Sequence, residues 1–207
     1  MKNMLRDAAV LLVITLFAGL VLGFVYQITK QPIAMAEEKA AKEAYAEVFP
    51  TASDFELMEL AVSDNGAWIE EWKNAGFGNV EIINTLEAKD AAGERLGYVL
   101  TVTTHEGYGG DITFTMGIKV DGTLNGISIL NISETAGLGM KAEAVLKPQF
   151  VDKKVSSFTY TKTGATSDNQ INAISGATIT TNAITTAVNG GLYYFQTQLG
   201  GSGYEAE

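Results

Sequence analysis

The first hydrophobic pattern along the chain is an apolar run from Ala8 to Ile28 that contains no charged side chain. About 20 apolar residues are enough for a helix to cross the core of a bilayer. A cleavable signal peptide is the alternative, because Ala34-Met35-Ala36 resembles a cleavage site. Signal peptides, however, have apolar cores of ~7–15 residues. The length of the run therefore favours an uncleaved transmembrane anchor at 1–30.

Charges beside this run predict its orientation. Lys2 and Arg6 precede it, and only Lys30 follows closely. Because basic flanks tend to stay in the cytoplasm, we expect a cytoplasmic N-terminus and an extracytoplasmic remainder.

The next segment, from Ala34 to Val48, is rich in Ala, Glu and Lys and is followed by Phe49-Pro50. Such residues favour a helix, and proline ends one. We predict a stalk helix at 31–50, in which Pro32 allows either a break or a new helical start.

Segments rich in β-branched and aromatic residues follow and are typical of strands. They are Val80–Leu86, Tyr98–Thr104, Ile112–Val120, Leu124–Asn131 and Val155–Tyr160. Asp121-Gly122 between the third and fourth of them is a strong hairpin signal. Trp68 and Trp72 are four residues apart, which suits one helix face packed against the sheet.

Apolar residues then recur at spacings of four from Ile179 to Leu192, which predicts a C-terminal helix. Gly190-Gly191 would either bend this helix or permit close packing. The sequence therefore predicts an α+β fold. A transmembrane helix and a stalk helix precede a domain at 51–200 with a mostly antiparallel sheet and packed helices, and 201–207 form a flexible tail.

Composition narrows the possible functions. The formal net charge is −10, and Asp7 is the only one of 24 acidic residues before position 30. An acidic domain repels phosphate backbones, so we expect no nucleic-acid binding.

The chain has no cysteine, and His105 is its only histidine. Disulfides and thiolate-ligated iron–sulfur clusters are excluded, and haem or His-rich metal sites are disfavoured. Electron transfer would therefore need an organic cofactor, for which a flavin is the obvious choice.

The first candidate for chemistry is Ser175-Gly176-Ala177-Thr178, at the predicted start of the C-terminal helix. Its small residues leave the Thr178 hydroxyl accessible, and a helix N-terminus favours a phosphate. The hydroxyls of Thr180 and Thr181 would cap the helix or bond that phosphate. An ordinary helix cap is the alternative. Thr163-Gly164-Ala165-Thr166 is a near-copy, but a polar loop follows it rather than an apolar helix, so we prefer Thr178.

The second candidate is the glycine-rich segment from Ser133 to Lys141. Two glycines two residues apart permit close backbone approach. Glu134 offers an acceptor, Thr135 a donor and Lys141 a cation, while Leu138 would cover an apolar ring face. A plain connection between a strand and a helix is the alternative.

Four motifs occur in a fixed order, and this order resembles the FMN-binding domain family. They are Gly107-Tyr108-Gly109-Gly110, Gly117 with Asp121-Gly122, Glu134-Thr135-x-Gly137-Leu138-Gly139, and Ser175-Gly176-Ala177-Thr178-x-Thr180. With the N-terminal span, the chain most resembles the G subunit of the Rnf-type ion-translocating electron-transport complex. The C subunit of the sodium-translocating NADH:quinone reductase is related. The resemblance covers nearly the whole chain.

The resemblance implies FMN joined by a phosphoester to Thr178, installed by a separate magnesium-dependent flavin transferase that uses FAD. It also implies partner subunits in a membrane complex that couples ferredoxin:NAD electron transfer to sodium or proton movement. The chain would be a redox subunit and would not be catalytic alone. By position, the flavin site would comprise Ser175, Gly176, Ala177, Thr178, Thr180, Glu134, Thr135, Leu138, Gly139 and, more weakly, Lys141.

Two departures from the family pattern stand out. Asn172 replaces a common Asp, which would slow attachment if the transferase needs that carboxylate for its metal. Ala136 replaces a Pro, which loosens the loop. We expect His105 to be a loop histidine, and Tyr108 either stacks near the flavin or packs. Three alternatives remain open: a quinone-reductase C-type subunit, a stand-alone extracytoplasmic flavoprotein, and a non-redox anchored assembly module.

Overall fold

The computed structural model describes residues 2–58 and 72–200. Its first element is helix α1, Lys2–Val48, which contains a stretch long and apolar enough to cross a membrane. The helix passes through Pro32 without a break and ends just before Phe49-Pro50. By internal contacts the chain divides into one compact unit up to Lys42 and another from Glu43 onward.

Most of the second unit is built on a five-stranded antiparallel sheet in the order β1-β2-β3-β4-β5. The strands are β1 Asp54–Leu57, β2 Val80–Lys89, β3 Arg95–Thr104, β4 Ile112–Lys119 and β5 Leu124–Ile132. Two short parallel strands, β6 Thr159–Thr161 and β7 Gln170–Asn172, form a second sheet. C-terminal to β5 lie helices α2 Ala142–Val145 and α3 Thr178–Gln198, with 3₁₀ turns at Gly139–Lys141 and Lys147–Phe150. The α+β prediction is confirmed, and so is the hairpin at Asp121-Gly122.

The predicted strand at Val155–Tyr160 is largely wrong, because only its last two residues lie in β6. The backbone of Phe158 is bound by a side chain instead of a strand. Its N–H donates to Asn189 Oδ1 at 2.7 Å, and Asn189 Nδ2 donates to its carbonyl at 2.9 Å. Asn189 belongs to α3, so a helix takes the place of a strand partner there.

Helix α3 packs closely on one face of the sheet. A Cβ on Gly191 would collide with the Met116 side chain of β4, so close packing, and not a bend, explains this glycine. Trp72 is buried. Its ring packs edge-on against the ring of Tyr194, with 6.2 Å between the ring centroids. Trp72 thus contacts α3, whereas Trp68 and the tail at 201–207 lie outside the described residues.

The opposite face of the sheet is covered by the end of α1. Val48 and Phe49 form a separate apolar cluster with side chains of β2 and β3, namely Leu86, Ala88 and Val99. A Cβ on Gly97 would lie 2.6 Å from Phe49 Cζ, and a Cβ on Gly117 would lie 3.0 Å from both Phe49 and Val48, so both glycines permit this close packing.

The register of the sheet brings two glycine-rich loops to the same end. Thr104 pairs with Ile112, and Ile112 pairs with Ile132. Since neighbouring antiparallel strands run in opposite directions, the end of β3, the start of β4 and the end of β5 lie side by side. The loops at 105–111 and 133–138 therefore emerge together.

Candidate functional site

A cavity of about 480 Å³ opens where these two loops meet the first turn of α3. Three separate stretches of the chain line it, with the residues Tyr108, Glu134, Thr135, Leu138, Gly139, Gly176, Ala177, Thr178, Ile179 and Thr180. Small-molecule and cofactor pockets are ~300–1,000 Å³ in volume. The cavity is therefore large enough for an organic cofactor.

The carboxylate of Glu134 joins all three stretches. The Gly109 N–H donates to its Oε1 at 3.2 Å, and the Thr180 hydroxyl donates to its Oε2 at 3.1 Å. Glu134 is only 9% exposed, and a buried carboxylate needs such donors. Both oxygens thus already have protein partners, so Glu134 braces the cavity wall in addition to facing it.

Gly139 is necessary for this arrangement. A Cβ at this position would lie 2.6 Å from Glu134 Cβ and 2.7 Å from Thr180 Oγ1. The second glycine of the loop therefore serves close approach, as the sequence indicated.

Thr178 is the first residue of α3 and is half-buried at the cavity wall. Gly176 just before it has φ +79°, a conformation that glycine adopts readily. Among the described residues, no side chain caps the start of α3. Unpaired N–H groups and the positive end of the helix dipole favour an anion here.

The neighbouring hydroxyls have other partners than those expected. Thr180 bonds Glu134, as described above. The Thr181 hydroxyl donates to the Ala177 carbonyl at 2.9 Å and accepts from the Ile174 N–H at 3.1 Å. Neither hydroxyl caps the helix. The Thr180 hydroxyl instead holds the loop that contains Glu134, and the Thr181 hydroxyl holds the segment at Ile174.

Apolar side chains form the rim of the cavity. Tyr108 is 70% exposed, Ile179 53% and Leu138 40%. Leu138 Cδ2 lies 3.0 Å from the position a Cβ on Gly176 would take, so the loop at 133–138 and the segment before α3 approach closely across the cavity. Large apolar side chains left exposed around a pocket mark a place where an apolar group binds. Sequence reasoning left Ile179 out of the site and left open whether Tyr108 stacks near the flavin or packs; the glycines around Tyr108 were the available signal.

A second cavity, of about 360 Å³, adjoins Thr178. It is lined by Lys162, Ala173, Ile174, Ser175, Gly176 and Thr178. Ser175 therefore belongs to this cavity and not to the larger one. Lys141, the weak candidate, is exposed and lines neither of these two cavities. Lys141 is the last residue of the 3₁₀ turn Gly139–Lys141.

The near-copy at Thr163–Thr166 lies in different surroundings. The Thr166 hydroxyl and N–H both donate to Gln170 Oε1 at 3.1 Å. No helix begins there, and the adjoining cavity has polar walls that include Lys153 and Asp168. Thr166 thus ends a side-chain-bonded turn.

Asn172, at the end of β7, holds this turn in place. Its Oδ1 accepts from the Ala165 N–H at 2.7 Å, and its own N–H donates to Gln149 Oε1 at 2.7 Å. The structure needs an acceptor at this position, which Asn and Asp both provide.

His105 lies outside the cavity wall. Its Nδ1 is 2.8 Å from Asp111 Oδ1, and the side chain is in the β3–β4 loop. This agrees with the expected loop histidine.

Comparisons with known proteins agree on one family. Residues 107–192 match the FMN-binding domain model, and residues 1–48 match the RnfG N-terminal region model. The chain is 31% identical, over 94% of its length, to the G subunit of the Na(+)-translocating ferredoxin:NAD(+) oxidoreductase complex of Acetobacterium woodii, of which 93% is covered. It is 29% identical, over 96% of its length, to the G subunit of the ion-translocating oxidoreductase complex of Methanosarcina acetivorans, of which 98% is covered.

A third relative is the G subunit of the proton-translocating ferredoxin:NAD(+) oxidoreductase complex of Clostridium ljungdahlii, with 29% identity over 92% of this chain and 91% of that one. Among solved structures, NqrC of Shewanella oneidensis matches with a TM-score of 0.46 and 20% identity, over 55% of this chain and 58% of that one. From the family models and the full-length similarity to these subunits, the chain belongs to the G-subunit family of Rnf-type ion-translocating oxidoreductase complexes.

Proposed function

We propose that this electron-transfer flavoprotein subunit carries FMN joined by a phosphoester to the Thr178 hydroxyl. One observation carries the proposal: Thr178 begins α3 at the wall of the 480 Å³ cavity. The family match to an FMN-binding domain supports the same cofactor.

The residues present fit FMN. A flat aromatic ring system suits the cavity between Tyr108, Leu138 and Ile179, which offers apolar surface around its opening. The phosphate suits the uncapped start of α3. Thr135 lines the same cavity and is exposed, so its hydroxyl is available to the polar edge of the ring.

Attachment requires a nucleophilic hydroxyl and a leaving group. The Thr178 oxygen would attack the FMN phosphorus of FAD, with Mg²⁺ and a flavin transferase as helpers. One P–O bond forms, the P–O bond of the pyrophosphate breaks, AMP leaves and the hydroxyl proton goes to solvent or a base on the transferase. Thr178 is half-buried and lines two cavities, from which the transferase would reach its oxygen.

Once bound, FMN supplies one- and two-electron redox chemistry. The chain itself excludes water with its apolar rim, fixes the cavity wall through Glu134, and prevents loss of the group through the covalent bond. It binds no diffusible substrate and is not catalytic alone.

Membership of the family supports a proposal for the function of the assembled complex. We propose that this subunit works with partner subunits in a membrane complex that couples ferredoxin:NAD electron transfer to movement of sodium ions or protons. The relatives include subunits named for each ion. The apolar part of α1 would cross the membrane with its N-terminus in the cytoplasm, because Lys2 and Arg6 precede it.

The test is direct. The full chain is coexpressed with a flavin transferase, purified, denatured and run on a gel that is inspected for flavin fluorescence, and its intact mass is measured. We expect a fluorescent band and a mass increase of one FMN less one water. A dark band with an unchanged mass would refute the covalent assignment. The cofactor should also bleach with a reductant and recover in air, since a redox role requires both.

A further inference from the structure

We propose that Lys162 is the cation that binds the phosphate of FMN at Thr178. This inference rests on the proposed attachment of FMN and identifies a residue outside every motif that indicated the site. It replaces Lys141 as the positive partner of the cofactor.

Thr178 separates the two cavities described above. The larger one has the apolar rim, and the smaller one is lined by Lys162 and Ser175. A phosphate bonded to the Thr178 oxygen has to lie directly beside that residue. With the ring in the larger cavity, the phosphate faces the smaller one, where an amine and a hydroxyl are available.

The fold holds Lys162 at this position. It directly follows β6, which pairs in parallel with β7. The Ala173 N–H donates to the Thr161 carbonyl at 2.8 Å, which brings the residue after β6 beside the segment that leads to Thr178. Asn172 holds the far side of the same turn through Ala165. Lys162, the residue just before the near-copy segment, therefore forms one wall of the smaller cavity.

Charge favours Lys162 over five other lysines of the domain, and position favours it over Lys73 and Lys141, which line neither cavity. Lys89, Lys119, Lys147, Lys153 and Lys154 each lie within 4.0 Å of a carboxylate. Lys162 has no such partner within the ranges 2–58 and 72–200. In a chain of net charge −10, an unpaired amine beside Thr178 is the available counter-charge for a phosphodiester. Lysine binds phosphate as a point charge through strong charge-assisted hydrogen bonds.

The experiment compares the stability that FMN confers on matched variants. Wild type, Lys162→Gln and Lys162→Arg are purified as full-length apoproteins and loaded in vitro with transferase, Mg²⁺ and FAD. Lys154→Gln is the control, because it removes the same charge from a surface position outside both cavity linings. Melting temperatures of apoprotein and loaded protein are measured in the same detergent, at low salt and at high salt.

We expect the gain in melting temperature on loading to be about 2–4 °C smaller for Lys162→Gln than for wild type. Lys162→Arg and Lys154→Gln should gain as much as wild type. The deficit should shrink in ~1 M salt, where charges are screened within about 3 Å. Loading of Lys162→Arg but not Lys162→Gln would equally support a required positive charge.

An equal gain for wild type and Lys162→Gln would overturn the assignment, and so would failure of both Lys162 variants to load. A deficit of the same size at both salt concentrations would also overturn it, because the side chain would then act through packing. If wild type itself takes up no FMN, the proposed function fails instead. The two failures are therefore distinguishable.

Discussion

Two segments of this chain have almost the same sequence and very different surroundings. Ser175–Thr178 and Thr163–Thr166 both contain Gly-Ala-Thr, and Gly176 and Gly164 both have positive φ, +79° and +105°. The first ends at a 21-residue helix beside an apolar-rimmed cavity. The second ends in a turn whose threonine hydroxyl is bonded to Gln170. The tetrapeptide specifies a turn in both places. Helix α3 and the loop at 133–138 place Thr178, but not Thr166, beside the apolar-rimmed cavity.

Replacing each of the two threonines by alanine tests this comparison and should give the largest effect. Thr178→Ala removes the only hydroxyl proposed to attack the cofactor, so covalent flavin should be lost completely. Thr166→Ala removes a hydroxyl that is already bonded to Gln170 and should load like wild type. Gel fluorescence and intact mass of the denatured proteins measure both. Flavin retained by Thr178→Ala and lost from Thr166→Ala would show that the roles of the two segments are reversed.

Removing the Glu134 carboxylate, which braces the cavity wall beside the first segment, should have the second-largest effect. Glu134→Ala leaves the Gly109 N–H and the Thr180 hydroxyl without their acceptor, which should cost on the order of 2 kcal/mol of unfolding free energy. Loading of the folded fraction should fall several-fold, because the loops no longer meet α3. Chemical denaturation and timed loading measure these two effects.

Glu94→Ala is the matched control, since Glu94 is an exposed carboxylate in the β2–β3 turn. It should change stability by less than about 0.5 kcal/mol. If Glu134→Ala were as stable as this control and loaded normally, Glu134 would not be the brace that we describe.

Weakening the near-copy turn should have a moderate effect. Asn172→Ala removes the acceptor of the Ala165 N–H and should cost about 1 kcal/mol. Loading should slow, because the turn that carries Lys162 becomes less ordered. Asn172→Asp keeps an acceptor and should be as stable as wild type in the same denaturation experiment. If Asn172→Asp loads faster than wild type at equal stability, the transferase uses that carboxylate directly.

The smallest effect concerns the ion pair between Lys153 and Asp168, which lies just after the near-copy segment in sequence. Lys153 donates to Asp168 at 2.7 Å, and this hydrogen bond, together with the lysine charge, lowers the pKa of Asp168. A lowered folded pKa contributes stability above the unfolded value of about 3.9, and this contribution is lost as the pH falls through the folded pKa. A carboxyl titration by NMR should show the shift in wild type and its loss in Lys153→Gln.

Lys154→Gln serves as the control for that titration, because Lys154 lies 3.9 Å from Asp121 and not beside Asp168. The pKa of Asp168 should stay low in this variant. An ordinary Asp168 pKa in wild type would mean that the ion pair does not persist in solution.

Much of the fold was predictable because its signals are local. The apolar run of α1, the Asp121-Gly122 hairpin and the spacing of apolar residues along α3 each depend on neighbours in sequence. The strand at Val155–Tyr160 was mispredicted for the opposite reason. Its composition favours a strand, but the partner of Phe158 is Asn189, which lies on a helix far along the chain.

The site shows the same division. Gly139 was recognisable as a position of close approach, and Gly176 as a small residue that leaves the Thr178 hydroxyl accessible. The structure brings both to one cavity with Thr178. The partners of Thr180 and Thr181 were not predictable, because their hydroxyls bond Glu134 and Ile174 across a fold that local sequence does not describe. Lys162 was missed because pairing of β6 with β7 places it beside Thr178.

The bond between Glu134 and Thr180 also has a consequence for the order of events during biogenesis. It joins a loop of the sheet to a helix 46 residues later in the chain, and the Gly109 loop joins through the same carboxylate. While α3 is still being synthesised, the wall beside Thr178 does not exist. Cofactor attachment should therefore follow folding of the domain. A chain in which α3 fails to pack against these loops should not be a substrate of the flavin transferase and should carry no FMN.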